Sequence, residues 1–267
     1  MSRGKKISAI KGTKDILPSE VRKWQWLERE ARRIFELYGY REIRTPVFEA
    51  TELFEKGTGP TSDIVTKEMY SFVDKGGRSL TLRPEYTPSV VRSIIEHSLH
   101  LQPDPMRYYF MGPMFRYDKP QKGRYRQFHQ VDIEVFGEMN PSVDAEIVEM
   151  ADTLLRRLGV EKPEILINSV GCRECRPVYH RELTKEMQKA ENRLCEDCRR
   201  KMATNPLRVF DCKNESCRAA AMDFPKITDF LCPDCRRHFQ GFKSYLDVYE
   251  IDYILDPQLV RGLDYYT

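Results

Sequence analysis

The chain has 267 residues, 40% hydrophobic and 32% charged, with 44 Lys and Arg nearly cancelled by 41 Asp and Glu to a formal charge of +3. That length fits one large domain or a core with a smaller insert, and the composition excludes disordered and fibrous classes. The balanced charge permits a polyanionic partner on local basic patches without announcing one, and no stretch approaches the roughly 20 apolar residues needed to cross a bilayer.

From the N-terminus, a helix is predicted from Ser19 to Tyr38. Trp24, Leu27, Ala31, Ile34, Phe35 and Tyr38 recur at helical spacing, Ser19 suits the N-cap and Gly39 the stop. Arg41 to Thr45 reads as a short strand ended by Pro46. Glu68 to Val73 and Ser79 to Leu82 flank Asp74-Lys75-Gly76-Gly77, a hairpin signal. Thr87 to Leu101 is helical by pattern. Two longer strands are expected at Met106 to Tyr117 and Tyr125 to Phe136, joined by the polar loop Asp118 to Arg124. Asn140-Pro141 opens another helix whose stripe runs from Ile147 to Leu158, with Gly159 at its end. From about Gly171 to Phe239 the text changes: all eight cysteines fall there, among many basic residues and few apolar runs. Tyr245 to Leu255 then reads as strand. Strands, hairpins and helices in this order predict an α+β fold, a largely antiparallel sheet flanked by helices and carrying a Cys-rich insert.

Side chains alternate along a strand. On residues 124–134 the even-numbered set is Arg124, Arg126, Phe128, Gln130, Asp132 and Glu134, whereas Val131, Ile133 and Val135 are assigned to a core. Arg116 and Asp118 share a face on the preceding strand in the same way. A solvated sheet face accounts for the charges. It does not account for Phe128 among them or for the basic loop beside them, and a binding surface accounts for both. Arginine forks would grip phosphate, a ring would stack on a base, and carboxylates would meet an amine. No Gly-rich helix-end phosphate cradle follows any strand, so a nucleotide would have to be held by arginines on a sheet.

Phe115-Arg116-Tyr117-Asp118, a loop, and Gly123 through Gln130 resemble motif 2 of class II aminoacyl-tRNA synthetases in its histidyl form. Gly12 to Pro18, the long helix and the strand ending at Pro46 are similar to that family's N-terminus and motif 1. Thr81-Leu82-Arg83-Pro84-Glu85-Tyr86-Thr87 resembles its amino-acid-binding segment, and Leu259 to Thr267 its second histidine motif. The resemblance implies ligation of L-histidine to tRNA(His) through an adenylate, with ATP and Mg2+. By position it implies that Arg116 and Arg261 act on the α-phosphate as catalytic groups. Arg116, Asp118, Arg124 and Phe128 would bind ATP, with Phe128 under adenine. Glu85, Thr87, Gln130, Glu134, Tyr265 and Tyr266 would surround the histidine. On residue type alone, Glu85 also reads as a strand-end carboxylate, Thr87 as a helix cap, the two tyrosines as core aromatics, and His129 as structural. Asp118 departs from the Glu usual at its position.

The resemblance further implies a homodimer through motif 1, and a catalytic core of residues 1–170 and 240–267 interrupted by the insert at 171–239. In the family, further strands, motif 3 and an anticodon-binding domain follow the position of Thr267. A chain ending there is therefore expected to be a truncated and inactive enzyme. The alternative is the related regulatory subunit of ATP phosphoribosyltransferase, which shares the fold without the ligase activity.

Met1 to Lys14 lacks the apolar stretch of a secretory signal. The expectation is a cytoplasmic protein with no membrane partner, whose cysteines are thiols or metal ligands. Cys172/Cys175, Cys195/Cys198, Cys212/Cys217 and Cys232/Cys235 form four pairs at zinc-ligand spacing. Two pairs make one site, so up to two structural Zn2+ ions are accommodated. Cys195, Cys198, Cys232 and Cys235 are the preferred set, because both pairs sit in Leu-Cys-x-x-Cys contexts. Thin apolar content in the insert favours a metal staple, with free thiols as the alternative.

Overall fold

The computed structural model describes residues 7–59, 62, 64–119 and 121–260 and divides into two compact units, Met1–Glu138 and Met139–Thr267. In the first, helix α1 (Pro18–Leu37) begins with a proline whose missing N–H would be unsatisfied there in any case. It ends where the Tyr38 N–H bonds Ile34 O and Gly39 turns to φ +80°. Strand β1 (Arg41–Glu42) pairs in parallel with Tyr108 and Tyr109 of a later strand. The Ile43 N–H still reaches Tyr109 O at 3.0 Å, but the chain then leaves the sheet before Thr45.

Strand β2 (Phe48–Ala50) leads into helix α2 (Thr51–Gly57), a π-helical turn (Ile64–Glu68) and the hairpin β3 (Tyr70–Val73) and β4 (Ser79–Leu82). Glu68 thus belongs to the turn and not to the strand expected from the sequence. Asp74 builds the hairpin turn by accepting the N–H groups of Gly76 and Arg78, and Gly77 supplies φ +79°. The sheet order is β2-β4-β3, antiparallel throughout. Its inner face is a hydroxyl chain, Thr51–Thr81–Ser71, while Phe48 and Phe72 on the opposite face are 51% and 45% exposed.

Helix α3 (Thr87–Glu96) precedes the central hairpin, β5 (Met106–Phe115) and β6 (Gln127–Phe136), paired from Met106↔Phe136 to Phe115↔Gln127. Opposed residues share a face, so β5 contributes Met106, Tyr108, Phe110, Gly112 and Met114 to the face that carries Phe128, Gln130, Asp132 and Glu134. Tyr86, Val90 and Ile94 of the α3 segment pack on the apolar half of that face. On the opposite face Phe35 of α1 meets Tyr109 with ring centroids 5.2 Å apart, and Trp24 meets His129 at 4.7 Å. His129 is therefore a packing residue, as its strand parity suggests. The expectation that Val131 belongs to the core is corrected: it is 37% exposed, and the charged face is the better covered of the two.

The second unit opens with helix α4 (Pro141–Arg157), capped by Asn140 accepting the Ser142 N–H at 3.0 Å. Strand β7 (Leu166–Ile167) follows, then α5 (Cys175–Lys189), α6 (Glu196–Lys201), α7 (Glu215–Ala221), α8 (Pro233–Val248) and strand β8 (Ile254–Leu255), parallel to β7. Ala145, Ile167, Phe242, Leu246 and Ile251 form one core. Residues 245–248, expected as strand, complete helix α8. Phe242 and Leu246 lie one helical turn apart and are both buried, so the period is that of a helix despite the aromatic and β-branched text. The Cys-rich stretch has a second core built from Tyr179, Leu183, Met187, Val209, Ala220 and Phe224 among others. Its apolar content is dispersed at helical spacing, which is why it looked thin as runs. No helix among the described residues is long and apolar enough to cross a membrane.

Candidate active site

The charged half of the β5–β6 face lies beside the α3 N-terminus. Glu134 accepts a short hydrogen bond from the Thr87 hydroxyl, so Thr87 is tied to a carboxylate across the fold and not to its own helix end. Burial pushes Glu134 up from the ordinary carboxylate range; the Thr87 bond opposes this and neighbouring Asp132 adds to it. Asp132 is pushed up to about 6 by burial, against the pull of the Arg116 guanidinium. Gln130 Oε1 and Asp132 Oδ2 are buried acceptors with no hydrogen-bond partner among the described residues. These two acceptors, beside the Glu134 carboxyl, form a buried wall that asks for a donor-rich, cationic ligand.

Arg116 supplies the opposite charge. Its Nε donates to Pro84 O at 2.8 Å and its guanidinium lies 5.3 Å from the centroid of the Phe128 ring. One contact fixes the fork's plane and the other holds it beside the ring. Glu85, next to Pro84, is only 5% exposed, which is not the surface carboxylate its strand-end position allows.

Beneath these groups Tyr86 stacks on Phe110 at 3.4 Å between centroids, and the Tyr86 hydroxyl donates to Ile43 O at 2.7 Å. Arg83, 3% exposed, lies 4.6 Å over the Phe110 ring and donates to Pro113 O and Thr45 O. Gly112, opposite Gln130, is required: a Cβ there would come within 2.7 Å of the Phe110 ring and 3.1 Å of the Arg83 guanidinium. Burial lowers the pKa of Arg83.

Of the residues singled out from the sequence, Thr87, Arg116, Phe128, Gln130 and Glu134 are gathered on this wall, and Glu85 is buried next to Pro84, whose carbonyl Arg116 holds. Asp118 and Arg124 are not on it; they pair with each other at 2.9 Å in the exposed loop after β5. Arg261, Tyr265 and Tyr266 lie outside the described residues. Strand parity put Asp132 on this face between Gln130 and Glu134 but gave it no individual role, and one contributor was missed. Arg83 carried no local signal, because its value as a buried platform comes from chains far apart in sequence.

The cysteines close into two groups, Cys172, Cys175, Cys232 and Cys235, and Cys195, Cys198, Cys212 and Cys217. The preferred set of Cys195 and Cys198 with Cys232 and Cys235 is corrected, since each pair closes with a different partner. The shared Leu-Cys-x-x-Cys text is a local feature, a buried leucine before a cysteine at a helix start, and says nothing of which pair lies opposite. Backbone N–H donors, first from Cys175 and then Glu174, hold Cys172 down to about 6; Cys195 is lowered to about 7, chiefly by the Cys198 N–H. Burial pushes Cys198, Cys217 and Cys235 up.

Residues 12–224 match the family model described as Histidyl-tRNA synthetase. The histidine--tRNA ligase of Halothermothrix orenii is 54% identical over 261 residues, spanning 98% of this chain and 62% of the relative; that of Desulforamulus reducens is 52% identical, spanning 96% and 61%. The chain therefore spans about three fifths of the length of these relatives. Among solved structures, apo histidyl-tRNA synthetase from Staphylococcus aureus superposes with a TM-score of 0.77 at 40% identity, over 98% of this chain and 60% of that one. A Bacillus halodurans chain described as an ATP phosphoribosyltransferase regulatory subunit/histidyl-tRNA synthetase superposes at 0.61 with 19% identity, over 96% of this chain and 69% of that one, a likeness of fold alone.

Proposed function

The chain belongs to the histidyl-tRNA synthetase family, and from that premise we propose that it carries the histidine- and ATP-binding wall of an enzyme that activates L-histidine and transfers it to tRNA(His). The observation that carries the reading is the pair of buried acceptors on Gln130 and Asp132 that have no hydrogen-bond partner among the described residues, beside Glu134 and facing the Arg116 charge. Histidine offers matching groups: an ammonium and imidazole N–H donors for the acceptor side, and a carboxylate for the arginine. A side chain lacking those donors would leave the acceptors buried and unpaired, which gives strong discrimination.

In the first step the histidine carboxylate attacks the α-phosphorus of ATP, which arrives as its magnesium complex; pyrophosphate leaves and an adenylate forms. Arg116, its plane set by Pro84 O, keeps its terminal nitrogens for the carboxylate and α-phosphate, and neutralises charge as it grows on phosphorus. Phe128 stacks on adenine, and Arg124 and Asp118 in the exposed loop contact ATP or the tRNA end. Glu85, Thr87, Gln130 and Glu134 orient histidine, and the family resemblance assigns Tyr265 and Tyr266 to histidine and Arg261 to the α-phosphate. In the second step a ribose hydroxyl of the tRNA attacks the adenylate carbonyl carbon and AMP leaves.

Residues 1–170 and 240–267 make up the catalytic core and 171–239 an insert in it. The family resemblance of the motif 1 segment, which holds α1 and β1, supports a homodimer formed there; sedimentation at monomer mass would contradict it. The activity test is ATP–pyrophosphate exchange by this chain extended to the length of its relatives. Exchange should require histidine. Exchange absent, or indifferent to histidine, would sink the reading and favour the regulatory-subunit alternative.

A further inference from the structure

The eight cysteines are not used by the reaction above, and their arrangement stands on its own. In each group of four, all sulfurs lie within 4.8 Å of one another. Cys172 Sγ is 3.5 Å from Cys175 Sγ and 3.9 Å from Cys232 Sγ, and Cys195 Sγ is 3.8 Å from Cys212 Sγ. A tetrahedral zinc with bonds of about 2.3 Å sets its sulfurs about 3.8 Å apart. A disulfide would need about 2.05 Å. The spacings are those of ligands around a shared ion.

The two groups also repeat one hydrogen-bond pattern. The Cys232 N–H donates to Cys175 Sγ at 3.0 Å, and the Cys195 N–H donates to Cys217 Sγ at 3.0 Å. In both, the first cysteine of a Leu-Cys-x-x-Cys pair points its amide at a buried sulfur of the opposite pair. Such N–H···S bonds stabilise thiolate ligands and fix their direction.

From this geometry we propose two closed four-thiolate zinc sites, nested one inside the other. Cys172, Cys175, Cys232 and Cys235 form the outer site, and Cys195, Cys198, Cys212 and Cys217 form the inner. Fifty-seven residues separate Cys175 from Cys232 and 22 separate Cys195 from Cys217. The outer ion joins the segment that leaves β7 to the start of α8, clasping the Cys-rich stretch at its base. The inner ion ties the start of α6 to the segment from Cys212 to α7. All four positions of each ion are filled by protein, which marks structural and not catalytic zinc. The proposal does not depend on the aminoacylation reading.

The test is metal analysis of the chain purified under reducing conditions. Two zinc ions per chain are expected by mass spectrometry. Cobalt(II) should titrate the unmutated chain to two equivalents with sulfur-to-metal charge-transfer and tetrahedral d–d bands. The Cys195→Ser/Cys212→Ser variant, altered in one site, should keep one ion; Cys195→Ser/Cys232→Ser, altered in both, should keep none. Cobalt saturating at one equivalent or fewer, or iron replacing zinc as purified, overturns the proposal whether or not the variants fold. Retention of one ion by the second variant and none by the first would overturn the pairing.

Discussion

The β5–β6 wall and the Cys-rich segment both bury reactive polar groups, and they do it in opposite ways. On the wall, Asp132 and Gln130 present acceptors that no described residue satisfies, and among the described residues the Arg116 fork donates only from Nε, to Pro84 O. In the Cys-rich segment each group of sulfurs closes on itself inside an apolar core. An open donor set costs stability until a ligand arrives and lets it leave again. A closed set is complete once an ion is in place and has no position for a substrate. The contrast separates a site built for turnover from one built for permanence.

The largest expected effect concerns the open site. Replacing Arg116 with Ala should lower kcat for histidine-dependent pyrophosphate exchange by about 10²–10³-fold, the usual cost of removing a donor aimed at developing charge. Zinc content should not change. A parallel loss of zinc would mean that the two regions are not separate devices.

Next comes Asp132. Its folded pKa of about 6 exceeds the ordinary 3.8, so the folded state binds that proton more tightly. The stability this confers is present below about pH 4, declines as pH rises towards 6, and is absent above it. Asp132→Asn removes the penalty of a buried charge. The variant should therefore be more stable than the parent at pH 7 by up to about 3 kcal/mol, several degrees in thermal melts, and similar to it near pH 3.5. Equal melting temperatures at pH 7 would show that the open wall carries no strain. The same variant should bind histidine more weakly, since the stabilised wall has lost a charge.

The smallest effect is expected for the exposed Asp118–Arg124 pair. Asp118→Asn should cost at most about 1 kcal/mol in denaturant unfolding. A larger loss would promote the loop to part of the wall.

Much of this was legible in the chain, and the reasons for the rest are physical. Period-2 alternation placed Gln130, Asp132 and Glu134 together on one face. Parity cannot say which face is covered, so Val131 was assigned inward although α1 covers its face only in part. The α8 ending was misread because Tyr245 and Val248 favour strands locally, while packing of Phe242 and Leu246 against α4 favours the helix. Cysteine spacing gave the pairs but not their partners, since partner choice is a long-range property that local text does not encode. Arg83 was invisible for the same reason: its contacts with Thr45, Phe110 and Pro113 are assembled only by folding.

The central claim is that the charged face of β6 receives histidine, and calorimetric titration of L-histidine into the chain extended to the length of its relatives tests it most directly. The parent should bind one histidine per chain, and Glu134→Ala, with its circular dichroism unchanged, should lose that binding by about 10²–10³-fold, the scale of a buried charged hydrogen bond left unmade. Equal affinity in the two proteins would contradict the account.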